Sequence, residues 1–166
     1  MYQAWTYGDC VLRESRSIDV PVIAALERVS QRHPWQLERV EAFLTEPHEG
    51  HEQFGSMATL EGRPVGYAIL AVAAKIMAIE RIGVFPDYRR RRVGTKLIAH
   101  AMLLARARRL EFMSTVLRES NVAAQKFFYE CGFRAGRMAG PLKGWFGIED
   151  AVAMRRPVVL PIGQAS

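Results

Sequence analysis

One twelve-residue segment limits the possible folds of this chain more than any other part of the sequence. It runs from Val84 to Thr95 and reads Val-Phe-Pro-Asp-Tyr-Arg-Arg-Arg-Arg-Val-Gly-Thr. The apolar stretch that ends at Val84 is typical of a buried strand, Pro86 breaks that strand, and apolar residues at helical spacing begin at Val93. The segment therefore predicts a strand, a basic loop and a helix in direct succession, so that strands and helices must pack together in one domain.

The arginines of this segment stand where the predicted helix begins. A helix N-terminus offers unpaired N–H groups and the positive end of the helix dipole, so anions bind there. Residues 89–109 include eight basic side chains and no acidic one. This pattern favours a phosphate or diphosphate site, with a solvated basic helix face and a nucleic-acid contact as alternatives. The order of Gly94, Thr95 and Lys96 does not fit a P-loop.

Composition excludes several classes of protein. The chain has 166 residues, of which 49% are hydrophobic and 24% charged, which is typical of one globular domain. Its net charge of +6 favours anionic partners. The only cysteines, Cys10 and Cys131, cannot form a disulfide scaffold and suit a reducing compartment. The N-terminus has no signal-peptide pattern, and the longest apolar run, residues 65–74, is too short to span a bilayer. We therefore expect a cytoplasmic protein without a membrane partner.

Hydrophobic periodicity predicts an α+β fold. The expected mixed sheet has about six or seven strands, flanked by about four helices. Asp19 is expected to cap the first helix, and Asn121 the last. The predicted domain covers residues 1–156, and residues 157–166 form a short C-terminal extension. The strands are expected at residues 10–13, 54–60, 65–73, 75–84, 111–117, 133–138 and 151–154.

A second segment makes the first one far more specific. Residues 121–133 read Asn-Val-Ala-Ala-Gln-Lys-Phe-Phe-Tyr-Glu-Cys-Gly-Phe, which alone predicts an amphipathic helix that Gly132 closes. Together the two segments resemble V-x-P-x-Y-R/Q-x-x-G-x-G and N-x-x-A-x-x-F/L-Y-x-x-x-G-F, two motifs of the GNAT superfamily of acetyl-CoA-dependent N-acetyltransferases. One helix and one strand separate the motifs, as in that superfamily. The resemblance therefore implies a GNAT-like single domain and an N-acetyltransferase.

Three shorter patterns resemble a narrower group, the ribosomal-protein-alanine N-acetyltransferases. They are Pro34-Trp35 before a helix, Arg118-x-Ser120-Asn121, and the run Glu-Asp-Ala-Val-Ala-Met at residues 149–154. That group acetylates protein N-termini. The likeness therefore implies an amine acceptor that is a protein or peptide α-amine.

The GNAT resemblance also implies which residues bind the cosubstrate, acetyl-CoA. The backbone at the end of the central strand would hydrogen-bond the pantetheine arm and polarise the thioester carbonyl, through Ile82, Gly83 and Val84. Backbone N–H groups of the arginine loop and the first helical turn would hold the pyrophosphate, from Arg90, Arg91, Arg92, Val93, Gly94 and Thr95. Asn121 and Phe128 would approach the cofactor from the following helix. No metal is expected, because His48 and His51 have no evident third ligand.

Three residues depart from the family pattern. Arg92 stands where the family usually has its first loop glycine, and an arginine fits there only if its φ is ordinary. Phe128 stands where the family commonly has the tyrosine that protonates the leaving thiolate. Val116 stands where the ribosomal-protein-alanine group has its glutamate base. The usual acid and base are therefore both absent.

Acetyl transfer survives these losses when the acceptor amine is already neutral. An α-amine is roughly a quarter neutral at about pH 7.4, whereas a lysine amine is only about 0.1% neutral. A peptide α-amine is therefore favoured over lysine. Glu80 is the candidate general base, directly or through a water, because strand alternation is expected to place it on one face with Ala78 and Ile82. The alternative is a structural carboxylate that is exposed or paired with an arginine.

Two other functions remain open from the sequence. One is acetyl transfer to a small-molecule amine, with the same cosubstrate. The other is a catalytically weak acyl-CoA-binding or nucleic-acid-binding module, which the absent acid and base and the arginine run suggest. Nucleic acid is the less favoured partner, and the chain is expected to be a monomer or a homodimer.

Overall fold

A computed structural model describes residues 4–46, 48–136 and 150–159. Within these ranges one sheet contains eight strands in the order β1-β2-β3-β4-β5-β6-β8-β7. The strands are β1 (Ala4–Tyr7), β2 (Cys10–Glu14), β3 (Glu52–Leu60), β4 (Arg63–Ala73), β5 (Ile76–Val84), β6 (Phe112–Arg118), β7 (Arg134–Ala135) and β8 (Ala151–Pro157). The α-helices are α1 (Val20–Ser30), α2 (Leu37–Thr45), α3 (Val93–Ala107) and α4 (Val122–Glu130).

The sheet is mixed because one of its strand pairs is parallel. β5 and β6 run parallel, and the other neighbouring pairs are antiparallel. Helix α3 connects β5 to β6 and makes the crossover that a parallel pair requires. The fold is therefore α+β, as the sequence predicts.

Apolar residues form two buried clusters on opposite faces of the sheet. The larger cluster joins α3 and α4 to the sheet through residues such as Leu97, Leu70 and Phe128. The smaller cluster joins α1 and α2 to the other face, around Ile23 and Val40. Each helix buries the apolar stripe that its periodicity predicts. The helices thus hold the middle of the sheet from both sides, and the end of β5 lies between them.

The structure departs from the sequence prediction at two elements, β1 and the start of α1. It has eight strands among the described residues where six or seven were expected, and β1 was not foreseen because its side chains are half or fully exposed. The side chain of Asp19 makes no capping bond to α1; it accepts hydrogen bonds from Arg13 and from the backbone N–H of Arg16. The pair with Arg13 holds the pKa of Asp19 below its ordinary value.

The C-terminal elements lie partly outside the described residues. The strand expected at residues 133–138 is present as β7, and the residues from 137 to 149 are not described. β8 runs through Pro157, and Val158 is buried in the larger cluster. The boundary between a domain of residues 1–156 and an extension of residues 157–166 stays a prediction.

Candidate active site

β5 and β6 separate before either strand ends. Their parallel pairing covers residues Ile76 to Ala78 on β5 and Phe112 to Ser114 on β6. Beyond this point the Thr115 hydroxyl donates a hydrogen bond to the Ile79 carbonyl at 3.0 Å, and no ladder pair follows although both strands continue. The separation leaves backbone N–H and C=O groups on the facing strand edges without strand partners. Such an edge can pair with an extended ligand.

A cleft of about 330 Å³ opens at this separation. The connection between α1 and α2 forms one wall, and the start of α4 forms another. Of the residues predicted for the site, the cleft brings together Glu80, Ile82, Val116, Asn121 and Phe128. Gly83, Val84 and the arginine loop do not line it; they follow β5 along the chain toward α3.

Glu80 is the extra residue of a β-bulge in β5. Ile69 of β4 pairs with Arg81, while the next residue, Leu70, pairs with Ile79, so Glu80 has no partner on β4. The expectation that Glu80 shares a face with Ile82 is wrong, because Ile79 and Ile82 both pack on the larger cluster. A bulge inserts one residue and so shifts the alternation of faces. It turns the Glu80 side chain away from that apolar cluster, and the residue lines the cleft.

The Glu80 carboxyl group lies in a recessed but solvent-accessible position. The residue as a whole is exposed, yet the surrounding cleft walls displace water from the carboxyl group, and this desolvation raises its pKa above the ordinary value. The positive charges of Arg39 and Arg81 act in the opposite direction. A carboxylate with a raised pKa is better suited to accept a proton near neutral pH.

A buried polar network supports the wall opposite α4, and sequence reasoning did not find it. Glu27 of α1 is fully buried and accepts hydrogen bonds from the Tyr67 hydroxyl, from Arg81 and from the Trp35 backbone N–H. Burial raises the pKa of Tyr67, and the Glu27 charge raises it further. A signal was present in the sequence, because Glu27 falls one helical turn after Ile23 on the apolar stripe of α1.

Gln31 connects the same network to β5. Its side-chain amide donates to the Ile82 carbonyl at 2.6 Å and to the Tyr67 hydroxyl at 3.0 Å. Gly83 is required beside it, because a Cβ there would lie 2.3 Å from the Ser30 hydroxyl and 2.5 Å from the Tyr67 ring. The connection between α1 and α2 is thus fixed against the end of β5, and any side chain at Gly83 would displace it.

Two arginines of the basic loop adopt left-handed backbone conformations. Arg90 has a φ of 65° and Arg92 a φ of 58°. The condition that Arg92 has an ordinary φ is therefore not met: the arginine takes the conformation that favours glycine, at a cost of about 1–2 kcal/mol. These two residues form a tight backbone turn immediately before α3. A backbone turn of this type can present successive N–H groups to one anion.

The arginine side chains have different roles in this loop. Arg89 turns back and donates to the carbonyls of Val84, at 3.4 Å, and Ser30, at 3.2 Å. Arg91 stacks on Tyr88, with its guanidinium carbon 5.3 Å from the ring centre. The side chains of Arg90 and Arg92 are exposed.

The first turn of α3 fits an anionic group. Its first helical hydrogen bond runs from the Lys96 N–H to the Arg92 carbonyl at 2.9 Å, so the N–H groups before Lys96 have no helical acceptor. Gly94 lies against α4, since a Cβ there would be 3.1 Å from the Phe127 ring. Free N–H groups at a helix N-terminus and exposed arginines around it suit a bound pyrophosphate.

The start of α4 forms the remaining wall. Asn121 caps the helix by accepting a hydrogen bond from the Ala124 N–H at 3.1 Å, as predicted. Phe128 lines the cleft but is only 1% exposed, held by edge-on contacts with Phe127 and Phe133. Tyr129 is 57% exposed under Arg134 and does not line the cleft.

Neither an activated thiol nor a cluster of metal ligands is found among the described residues. Burial raises the pKa of the Cys131 thiol, which makes it a poor nucleophile. Across residues 4–46, 48–136 and 150–159, no cluster of three or more His, Cys, Asp or Glu side chains could hold a metal. No helix in the described ranges is long and apolar enough to cross a bilayer.

Comparison with known proteins places this architecture among acetyltransferases. The family model described as "Acetyltransferase (GNAT) family" matches residues 20–133, more than half of the chain. A [ribosomal protein bS18]-alanine N-acetyltransferase from Escherichia coli is 24% identical over 144 residues, which cover 84% of this chain and 92% of that protein. The crystal structure of the ribosomal-protein-S18-alanine N-acetyltransferase from Escherichia coli matches with a TM-score of 0.74 at 22% identity, covering 95% of this chain and 99% of the other. Ard1 from Thermoplasma volcanium matches with a TM-score of 0.76 at 20% identity, covering 91% and 99%.

Proposed function

Because the chain belongs to the GNAT family of N-acetyltransferases, an acyltransferase family that uses acetyl-CoA, we propose that its acceptor is the α-amine of a protein or peptide. The proposal goes further than the family, which includes acceptors of several kinds. It is supported by the activity for which the bS18-alanine N-acetyltransferase relatives are named. The main support for this acceptor comes from the residues that line the cleft.

This main support is the scarcity of proton-transfer groups in the cleft. Val116 and Phe128 occupy the two positions where a base and an acid are usual in related enzymes, and both line the cleft as apolar side chains. Among the described lining residues, Glu80 is the one carboxylate and His33 the one imidazole. A site with so little proton-transfer capacity works best on an amine that arrives neutral. At about pH 7.4 the neutral fraction of an α-amine is about 250 times that of a lysine amine.

Glu80 takes the proton in this proposal. Its raised pKa and its place at the bulge let it receive a proton from the attacking amine, directly or through one water. The edge of β5 that leaves β6 would orient the thioester through the backbone of Ile82, Gly83 and Val84. Fixed backbone N–H groups that face a developing oxyanion stabilise it without reorganisation.

The cosubstrate would be held by the residues that follow β5. Acetyl-CoA supplies the thioester, whose thiolate leaves without an acid because a thiol has a pKa of about 8.5. The pyrophosphate would lie at the first turn of α3, on the backbone N–H groups of Val93, Gly94 and Thr95, with Arg90, Arg91 and Arg92 around it. Asn121 and Phe128 would border the pantetheine arm from α4.

The test of Glu80 is the variant Glu80→Gln, which keeps the size and hydrogen-bonding capacity of the side chain. We expect kcat/KM to fall by roughly 10²-fold or more on a peptide α-amine, and further on a lysine acceptor, because less of the lysine is neutral beforehand. Acetyl-CoA affinity, measured by calorimetry, is expected to stay unchanged. Glu111→Gln is the matched control, because Glu111 is an exposed carboxylate at the opposite end of β6.

Thiol release with a panel of amines separates the competing functions. Release with peptides that have free N-termini, and not with N-terminally blocked peptides that contain lysine, supports the α-amine proposal. Release with small amines alone would replace it by a small-molecule acetyltransferase. Acetyl-CoA binding without release on any amine would indicate a binding module. Near-full activity of Glu80→Gln on both acceptors would make that carboxylate structural.

A further inference from the structure

Most of the charged side chains that line the cleft are positive. Besides Glu80, the charged or titratable side chains that line it are Arg32, His33, Arg81 and Arg118. Arg81 is neutralised by the buried carboxylate of Glu27. The wall formed by the connection between α1 and α2 contributes no carboxylate to the lining. An acceptor that approaches along this wall therefore meets cations first.

Arg32 in this wall and Arg39 beside it on α2 are placed to contact an acceptor; Arg39 does not line the cleft itself, but its charge acts on the Glu80 carboxyl group. Arg32 is exposed, lines the cleft and has no ion pair within the described ranges. Arg39 is exposed on α2 and stacks on Trp35, with its guanidinium carbon 4.1 Å from the ring centre. The backbone N–H of Trp35 is bonded to buried Glu27, so the platform under Arg39 is held in place.

We propose that the acceptor carries carboxylates next to its primary amine, and that Arg32 and Arg39 recognise them. This inference rests on the proposed function and adds the chemical class of the acceptor. A guanidinium pairs with a carboxylate through parallel hydrogen bonds, which gives such a contact geometric specificity. A stacked guanidinium also keeps its hydrogen-bond donors available around its edge.

The same charges favour the chemistry. Positive groups near a bound amine disfavour its ammonium form and so increase the neutral fraction that can attack. They also repel cationic acceptors, including lysine-rich peptides. The carboxylates of such an acceptor offset that repulsion, while the nearby positive charges still favour the neutral form of its amine. Glu80 remains the one carboxylate in the described lining that can take the amine proton.

The test compares peptides that differ in charge beyond a common N-terminal alanine. One peptide has acidic residues at positions two to four, one has basic residues there, and one has neutral polar residues. We expect kcat/KM for the acidic peptide to exceed that for the basic peptide by at least about tenfold at low salt, and the ratio to shrink at about 0.5 M salt. Free aspartate tests whether a small carboxylate-bearing amine is accepted as well.

Charge-reversal variants test whether Arg32 and Arg39 cause the preference for the acidic peptide. Arg32→Glu and Arg39→Glu are each expected to lower the acidic-to-basic ratio by about tenfold, because each reversal replaces an attraction with a repulsion. Taking the ratio cancels any effect of Arg39 on Glu80, since both peptides present nearly the same amine. Lys75→Glu makes the same change in net charge at the exposed turn between β4 and β5 and is expected to leave the ratio unchanged.

The outcomes separate this inference from the proposed function. Equal rates on all three peptides, or faster acetylation of the basic one, would overturn the inference and leave peptide acetylation intact. A ratio that falls as much in Lys75→Glu as in Arg32→Glu would also overturn it, because the effect would then come from net charge. Acetylation of aspartate and of no peptide would support carboxylate recognition and reject the peptide acceptor.

Discussion

Replacing Arg92 with glycine is expected to stabilise the protein. Arg92 precedes α3 with φ 58° and ψ 19°, and its carbonyl accepts the first hydrogen bond of that helix. A non-glycine residue in this region costs about 1–2 kcal/mol, whereas glycine costs about 0.5–1 kcal/mol in lost freedom on folding. Removing a positive charge from the positive end of a helix dipole contributes about 0.3–1 kcal/mol more. The free energy of unfolding should therefore rise by about 1–2 kcal/mol, or about 3–6 °C in Tm.

Arg92→Ala is the control that isolates backbone strain. It removes the same charge but keeps a Cβ in the left-handed conformation, so it gains only the electrostatic part. Thermal and urea unfolding without acetyl-CoA should rank Gly above Ala by about 1 kcal/mol. In calorimetry both variants should bind acetyl-CoA more weakly than the wild-type chain, by a similar factor. An alanine variant as stable as the glycine variant would refute the argument that Arg92 is strained.

Two further predictions concern α3. Gly94→Glu should weaken acetyl-CoA binding at least about tenfold, because it places a negative charge where an anion would bind. Gly94→Ala is the control: its Cβ would lie 3.1 Å from the Phe127 ring, and it should change the affinity little. Equal affinities of the two variants would contradict the pyrophosphate assignment. His100 is fully buried beside the Ser56 hydroxyl at 2.7 Å, and desolvation lowers its pKa to about 4. In the unfolded chain the His100 imidazole takes up a proton near pH 6.5, so its contribution to the free energy of unfolding is full above that pH and falls as the pH drops toward 4, by about 2 kcal/mol between pH 7 and pH 5. His100→Gln should remove that part of the pH dependence in urea titrations. An unchanged pH dependence in this variant would refute the role of His100.

The sequence alone determined the fold class and the order of elements from β2 to α4. These features follow from short-range patterns: apolar alternation or runs for strands, three- and four-residue spacing for helices, and breakers such as Pro86. The Asn121 cap was readable for the same reason, since its partner, the Ala124 N–H, lies three residues away. The two motif segments identified the family, because their residue types and separation are specific together.

Tertiary structure alone decided the environment of the site. Whether strand alternation persists through Glu80 depends on its register against β4, and the bulge there moved the residue off the face it was expected to share with Ile82. The same holds for Glu27, whose partners Tyr67 and Arg81 lie 40 and 54 residues away along the chain. Local patterns report spacing along the chain. Register, burial and the sign of the charge around a cleft arise from segments far apart in sequence, and these quantities decide which carboxylate can take a proton.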